Sequence, residues 1–250
     1  MNKSLIMPHV AAITRNISEF GNSYGITTTH DENKQENMET VLFRGCTSTH
    51  KTPEILEAAE KLLKHKGIKY DVISNETCCG NILFNLGRRS SGFETVRKNI
   101  EKFKAAGVKR IITICPGCYN AFHKYYSGQD GFNLEIILAI DLLNGLTITG
   151  NDFEIQDPCH AKEKAYSLRM MVQSRNYESV SPCCGAGGGV MAHDRSLAKL
   201  KARKAVDNSP GKIVTYCPFC YLNLKSVNPD KIFDIYMLLD NHLSTVQCLL

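Results

Sequence analysis

The sequence lacks a long apolar segment. Its longest apolar stretch, residues 136–143, is interrupted by Asp141 and is far shorter than the ~20 residues that a helix needs to cross a bilayer. Residues 1–16 contain Lys3 and Arg15 and no continuous apolar core of the signal-peptide type. No basic stripe with interleaved aromatic side chains occurs, which argues against nucleic acid as a partner. We therefore expect a soluble, cytoplasmic protein that reaches a membrane only through another protein.

The ferredoxin run Cys-x2-Cys-x2-Cys-x3-Cys-Pro is also absent, although the chain has 11 cysteines. In a reducing compartment, paired cysteines more often bind metal or carry out redox chemistry than form structural disulfides. The chain has 250 residues and an apolar fraction of 43%. It can therefore form one large domain or two ordinary ones with packed cores.

Ten of the eleven cysteines form two similar motifs. The first cysteine motif comprises Cys46, Cys78, Cys79, Cys115 and Cys118, and the second comprises Cys159, Cys183, Cys184, Cys217 and Cys220. Neighbouring side chains of an extended backbone point to opposite sides. A vicinal pair is therefore poorly placed to chelate one tetrahedral ion but can hold two metals of a larger cluster. Five thiolates in each motif favour an iron–sulfur cluster over zinc, which takes four ligands. Cys248 lies outside both motifs, and we assign it no role in the site.

Short apolar strands alternate with amphipathic helices in both halves, which is typical of a parallel sheet. The pattern predicts strands at residues 41–43, 70–73, 110–114, 153–156 and 212–216, and helices at residues 52–66, 93–106 and 194–206. Most of the cysteine groups follow predicted strands, at the edge of the sheet where ligands bind in such folds. Matching cysteines lie about a hundred residues apart, which indicates a duplicated domain and not a short repeat. The fold class is therefore α/β, with two tandem duplicated domains that each contain a small parallel sheet flanked by helices.

We expect an N-terminal arm at residues 1–40, a first cysteine-rich domain at residues 41–150 and a second at residues 151–250. Within the arm, the pattern predicts a short helix at residues 13–20, a turn at residues 21–25 and a polar tether at residues 27–39. The joint between the domains is expected near residues 149–151. Composition alone favours a loosely ordered surface segment for the tether at residues 27–39.

Two copies of Cys…Cys-Cys-Gly…Cys-x-x-Cys resemble the cysteine-rich CCG domains of heterodisulfide reductase catalytic subunits. Related domains occur in the iron–sulfur subunits of glycolate, lactate and anaerobic glycerol-3-phosphate dehydrogenases. The segments Asp157-Pro158-Cys159-His160 and Cys183-Cys184-Gly185 look especially like the membrane-type or fused reductase subunit. Residues 21–25 resemble the linker that follows the ferredoxin domain of the fused proteins. The resemblance covers roughly residues 41–240.

This resemblance implies that each motif binds a noncubane [4Fe–4S] cluster through its five cysteines, and that a disulfide is cleaved between the two clusters. Some relatives hold zinc in one motif, so one cluster and one zinc ion remain possible. Two other functions stay open: an electron-transfer subunit of a flavin-linked hydroxy-acid dehydrogenase, and a zinc-stapled scaffold. The second motif departs from the first in spacing, with 23 residues between Cys159 and Cys183 against 31 between Cys46 and Cys78.

Other polar residues are weaker candidates. His160 follows a predicted ligand and is a candidate proton donor, although a capping or supporting role is the simpler interpretation. Basic residues near the motifs can hold an anionic substrate or form a solvated surface: Arg88, Arg89, Lys162 and Lys164. We interpret His123 and His193 as structural. Because the ferredoxin cysteines are absent, electrons must come from a separate ferredoxin-type iron–sulfur subunit, with a flavoprotein or membrane cytochrome as a further partner.

Overall fold

Two small parallel sheets form the framework of this computed structural model, which describes residues 8–27, 37–148, 153–172 and 183–247. The first sheet has the order β1 (Thr40–Phe43), β2 (Arg110–Thr113), β3 (Glu135–Leu138). The second has the order β4 (Phe153–Ile155), β5 (Lys212–Thr215), β6 (Ile232–Asp234). All pairs are parallel, and each middle strand carries the buried apolar residues expected of a strand covered on both faces. The predicted α/β fold class with tandem domains is confirmed.

The helices surround these sheets. Those of the first half are α1 (Pro8–Phe20), α2 (Cys46–His50), α3 (Pro53–His65), α4 (Asn81–Asn85), α5 (Arg89–Ala106) and α6 (Pro116–Ala121). Those of the second half are α7 (Ala165–Val172), α8 (Val190–His193), α9 (Arg195–Asp207), α10 (Pro218–Lys225) and α11 (Ile235–Gln247). A π-helical turn at Phe122–Tyr126 and 3-10 turns at Ala139–Leu143 and Lys162–Lys164 complete the described elements.

The two halves share a continuous apolar core. Helix α3 buries Ile55, Ala59 and Leu62 on one face, at the spacing that brings residues onto a single side of a helix. That face packs against α11 of the second half. The core then runs on to Phe153 and to Tyr236, both of which are fully buried. The relative position of the halves is thus fixed by apolar burial, which holds the two cysteine motifs at one place.

Two sequence predictions differ from the structure. The predicted strand at residues 70–73 forms only a single bridge, in which the amide of Leu42 donates to the carbonyl of Asp71 at 2.8 Å. The segment therefore meets β1 only at Asp71, which pairs with Val41. The helix predicted at residues 13–20 begins earlier, at Pro8, because proline suits the first turn of a helix. The predicted joint at residues 149–151 lies outside the described residues, and the domain boundaries stay a prediction.

Candidate metal centre

The first cysteine motif begins where β1 turns into α2. Gly45 has a φ of 77°, and a Cβ at this position would lie 3.2 Å from the Sγ atom of Cys118. Glycine therefore permits both the left-handed backbone and the close approach of a thiol. The Glu76 carboxylate accepts hydrogen bonds from the amides of Arg44 and Gly45 at 2.8 and 2.7 Å, which fixes this turn. Cys46 follows as the first residue of α2.

The vicinal pair of the first motif is fixed through its carbonyl groups. The Asn99 side chain donates to the carbonyl of Cys78 at 3.0 Å and to the Tyr126 hydroxyl at 2.8 Å. The Tyr126 hydroxyl in turn donates to the carbonyl of Cys79 at 3.0 Å. Both Asn99 and Tyr126 are buried, so these hydrogen bonds form away from solvent. Sequence reasoning missed both residues, since neither belongs to a motif.

The remaining cysteines of the first motif lie at a helix N-terminus. Cys115 directly precedes α6, and its amide donates to the Thr113 hydroxyl at 3.4 Å. Pro116 occupies the first turn of α6, as its missing N–H allows. Cys118 therefore lies in the first turn of α6 as well, close to the free amides of the helix N-terminus.

The second motif repeats this construction with one change. Cys217 precedes α10, and its amide donates to the Thr215 hydroxyl at 3.3 Å. The carbonyl of Cys184 accepts from the Asn223 side chain at 2.6 Å. In the first motif the equivalent carbonyl, that of Cys79, accepts instead from the Tyr126 hydroxyl. The second cysteine of each vicinal pair is thus held through its carbonyl, by tyrosine in one half and by asparagine in the other.

The two motifs open onto one cavity of about 70 Å³ between the halves. Nine of the ten motif cysteines line it, namely Cys46, Cys78, Cys79, Cys115, Cys118, Cys159, Cys184, Cys217 and Cys220. Cys183 does not line the cavity, and its side chain is exposed. The structure therefore brings the predicted ligands together in two groups that face a common space.

The thiols of each motif interact with one another. The thiol of Cys220 donates to the sulfur of Cys184 at 3.0 Å. Hydrogen bonds from the thiols of Cys118 and Cys78 lower the pKa of Cys79 to about 6. In the second motif, hydrogen bonds from Cys159 and Cys184 lower the pKa of Cys183. The pKa of Cys217 is also lowered, first by its hydrogen bond with Cys220. Both motifs therefore contain cysteines that favour the thiolate, the form in which cysteine binds metal.

Other thiols of the first motif show the opposite shift. The pKa of Cys46 is raised, first by its hydrogen bond with Cys78 and then by burial. The pKa of Cys118 is raised by its hydrogen bonds with Cys115 and Cys79, with burial as a further cause. A metal would have to displace these protons, because only thiolate is a strong ligand. Metal binding at this motif should accordingly release protons.

The N-terminal arm is part of the first motif's surroundings. The Ser23 hydroxyl lies 3.5 Å from the Cys46 sulfur, and the Tyr24 hydroxyl lies 3.0 Å from the Thr47 hydroxyl. The carbonyl of Gly21 accepts from the amide of Cys78 at 2.6 Å. Residues 8–27 are thus packed against the site. Residues 28–36 of the predicted tether lie outside the described residues.

The secondary candidates fall into two groups. His160 lines the cavity, and burial lowers the pKa of its imidazole. Asn81 also lines the cavity, and its buried Oδ1 atom has no hydrogen-bond partner among the described residues. The predicted basic residues, Arg88, Arg89, Lys162 and Lys164, are not among the residues that line it.

These basic residues and the other histidines have contacts elsewhere. Lys164 forms an ion pair with Asp141 at 2.8 Å, and Arg89 lies over the ring of Phe93. The ring of His123 packs on that of Tyr119 at 4.4 Å. The rings of His193 and His9 meet edge to face at 6.1 Å.

Within the described ranges, no group of three or more His, Cys, Asp or Glu side chains is arranged to hold a single metal ion, so the cysteine side chains of neither motif form a mononuclear site as they stand. Among the same residues, no helix combines the length and the apolar character needed to cross a membrane.

Two repeated α/β units, whose two five-cysteine motifs contribute nine cysteines to a shared cavity, define a tandem cysteine-rich protein. The chain belongs to the cysteine-rich (CCG) domain family, whose model matches residues 40–123 and 153–225. The resemblance inferred from the sequence is thereby confirmed.

Curated relatives are similar at modest identity. An uncharacterized iron–sulfur protein of Methanocaldococcus jannaschii is 27% identical over 207 residues, which cover 77% of this chain and 42% of the relative. One subunit of a fumarate reductase (CoM/CoB) from Methanothermobacter marburgensis is 26% identical over 223 residues, which cover 79% of this chain and 45% of the relative. One subunit of the dihydromethanophenazine:CoB–CoM heterodisulfide reductase of Methanosarcina acetivorans is 27% identical over 220 residues, which cover 74% of this chain and 53% of the relative. The chain spans about half the length of these relatives or less.

Proposed function

We propose that this chain is an iron–sulfur subunit of an oxidoreductase, and that each cysteine motif holds one noncubane [4Fe–4S] cluster. The observation that carries the proposal is the cavity lined by nine of the ten motif cysteines. The names of the relatives, which include iron–sulfur proteins and a heterodisulfide reductase subunit, support it further.

The residues fit such a group. The ten motif cysteines would hold the two clusters, Cys46, Cys78, Cys79, Cys115 and Cys118 for the first and Cys159, Cys183, Cys184, Cys217 and Cys220 for the second. Gly45 leaves room beside Cys118, and a Cβ on Gly117 would lie 3.6 Å from the Cys115 sulfur. Cys115 and Cys217 stand at helix N-termini that favour thiolate. When bound, iron–sulfur clusters supply one-electron transfer.

The proposed reaction is reduction of a disulfide in the cavity between the motifs. Two electrons and two protons break the S–S bond and release two thiols. His160 and Asn81 supply hydrogen-bonding groups to this otherwise thiol-rich and apolar space. The half-buried side chains of Phe219 and Ile82 add apolar surface to the cavity wall.

A second candidate is transfer of electrons from a flavoprotein, as in a flavin-linked hydroxy-acid dehydrogenase. One relative favours it: an EtfAB:quinone oxidoreductase of Syntrophomonas wolfei is 26% identical over 217 residues, covering 73% of this chain and 30% of the relative. In both cases we propose a separate ferredoxin-type iron–sulfur subunit as partner, with a flavoprotein or membrane cytochrome beyond it. The chain would then act in the cytoplasm, at a membrane only through that partner.

Metal analysis tests the proposal. Protein purified without air should be brown, with broad absorption near ~400 nm and about eight iron atoms and matching acid-labile sulfide per chain. Cys79→Ala and Cys184→Ala should each lose about half of the iron, because each removes a ligand of one cluster. Colourless protein that carries zinc and no sulfide would support the zinc-stapled scaffold instead.

Two further results complete this test. Cys248→Ala, which lies outside the described residues, serves as the control and should keep all of its iron. Zinc in one motif would show as half the iron together with one zinc ion per chain. Loss of iron in Cys248→Ala equal to that in Cys79→Ala would contradict the ligand assignment.

A further inference from the structure

The two cysteine motifs differ in their access to the surface. In the second motif, the side chains of Cys159 and Cys183 are exposed. In the first motif, four cysteines are buried and Cys46 is half-buried beneath the arm. A protein that exchanges electrons with this chain can therefore approach the second motif more closely than the first.

Helix α9 lies directly against the exposed motif. The Asn223 side chain donates both to the carbonyl of Cys184 at 2.6 Å and to the carbonyl of Ala198 in α9 at 2.9 Å. A Cβ on Gly185 would lie 2.6 Å from that Ala198 carbonyl and 2.7 Å from the Cβ of Lys201. The helix backbone thus packs on the vicinal pair, and Gly185 is what allows it to come so close. The opposite face of α9 is left to solvent.

That outer face is strongly basic. Four exposed cations lie within ten residues, about 15 Å of helix, namely Arg195, Lys199, Arg203 and Lys204. Lys201 is exposed as well, but its Cβ lies on the side of Gly185. The helix contains no acidic residue before Asp207. None of the four cations forms an ion pair with another side chain in the described part of the chain. Their charge is therefore not balanced locally.

Two apolar side chains interrupt this basic face. Leu197 is 42% exposed and Leu200 is 65% exposed, and both are among the large apolar side chains that the described residues leave open to solvent. Their spacing of three residues places them on the same side of the helix. Basic residues around an exposed apolar pair are suited to a protein surface of opposite charge, because charge guides the encounter and apolar contact holds it.

We propose that the outer face of α9 is the docking surface for a small acidic electron-carrier protein that reduces the centre held by the second motif. The proposal rests on the proposed function only for the identity of that centre. In each encounter the carrier loses one electron and the centre gains it, and no covalent bond forms or breaks. The electron enters beside Cys183 and Cys184, the point where α9 and the motif touch.

The test uses a bacterial 2[4Fe–4S] ferredoxin as the acidic carrier. Binding of the oxidised ferredoxin to the immobilised holoprotein is measured by surface plasmon resonance. Reduction by the reduced ferredoxin is followed by stopped-flow absorbance at low and high salt. At low salt, the double variant Lys199→Glu/Arg203→Glu should bind ferredoxin, and be reduced by it, at least about tenfold more slowly than the original protein. Added salt should reduce this difference, because it screens the charges.

Matched variants exclude a general charge effect. Lys64→Glu/Lys104→Glu changes the net charge by the same amount, at exposed helix positions away from α9. This control should stay within about twofold of the original protein. Leu200→Ser should speed dissociation with little change in the salt dependence, because it removes apolar contact alone. Iron content and direct reduction by dithionite should be unchanged in all variants.

Equal effects of the two double variants, or an unaffected α9 variant, would overturn the docking proposal. Its failure is distinguishable from failure of the proposed function. Binding of oxidised ferredoxin does not depend on the metal of this chain, whereas the iron and sulfide content does not depend on α9. If the chain contains no iron but still binds ferredoxin through α9, the docking proposal stands and the cluster proposal is wrong.

Discussion

At the scale of single residues, the Ser23 hydroxyl is placed to tune the first centre, since it lies 3.5 Å from the Cys46 sulfur. Hydrogen bonds to ligand sulfurs stabilise the more negative, reduced state of a cluster. Ser23→Ala should therefore lower one reduction potential by ~40 mV, the equivalent of about 1 kcal/mol for one electron. Spectroscopic redox titration of the holoprotein measures it. Ser18→Ala, at an exposed position of α1, is the control. A potential unchanged by Ser23→Ala would contradict the tuning role.

The residues of the site were only partly predictable. The cysteine motifs are visible in the sequence because their spacing repeats, and Cys115 and Cys217 could be placed at helix starts from the following proline. The supporting residues Asn99, Tyr126 and Asn223 could not. Each is a single polar residue in a helical or turn segment, and its role depends on a tertiary contact with the vicinal pair.

At the scale of elements, Asp234 joins β6 to α11 as a buried helix cap. Its Oδ1 atom accepts from the amides of Tyr236 and Met237 at 2.9 and 3.3 Å, whereas Oδ2 is buried without a hydrogen-bond partner in the part of the chain that the structure describes. Burial raises its pKa from 3.8 to about 8. The folded protein therefore keeps this proton up to about pH 8, whereas the unfolded chain loses it near pH 4. This group's contribution to the free energy of unfolding falls as pH rises between those values.

Asp234→Asn should remove that pH dependence, because the amide keeps the capping oxygen and cannot ionise. We expect a higher melting temperature at pH 8 by several degrees, since ~1 kcal/mol moves it by roughly 2–4 °C in a protein of this size. At pH 4 the difference should be small. Thermal unfolding followed by circular dichroism from pH 4 to pH 8.5 measures this, with exposed Asp230→Asn as the control. Parallel pH profiles of Asp234→Asn and the original protein would disprove it.

Elements were predicted well where the pattern was long and poorly where it was short. The periodic helix α3 begins and ends within about two residues of its prediction, because its apolar face is continuous. The four-residue run at 70–73 forms one bridge only. A short apolar run indicates burial, but it does not show how many of its residues pair with a neighbouring strand.

At the scale of the whole molecule, the arm contacts both the first motif and the second half of the chain. Ile17 of α1 packs with Cys78 and Leu83, while His9 meets His193 of α8. Deletion of residues 1–27 should therefore open the first motif, remove about half of the iron and speed the labelling of cluster-free protein by a thiol reagent. Iron analysis and mass spectrometry of labelled peptides measure both effects. Deletion of residues 1–7, which precede α1, is the control.

Full retention of iron by the shortened protein would show that the arm does not close the site. Loss of ferredoxin binding at full iron content would instead make the arm a docking element. The arm's role was beyond sequence reasoning, because its polar composition conceals the few apolar residues that hold it in place.

The position of the arm also orders events in time. Residues 8–27 are synthesised well before Cys78 and long before His193, yet they pack against both. The arm can adopt its final place only when most of the chain has left the ribosome, since these long-range contacts form late. Until then the thiols of the first motif stay open to an assembly factor that carries iron and sulfide. Closure of the arm would thus mark the end of maturation at that motif.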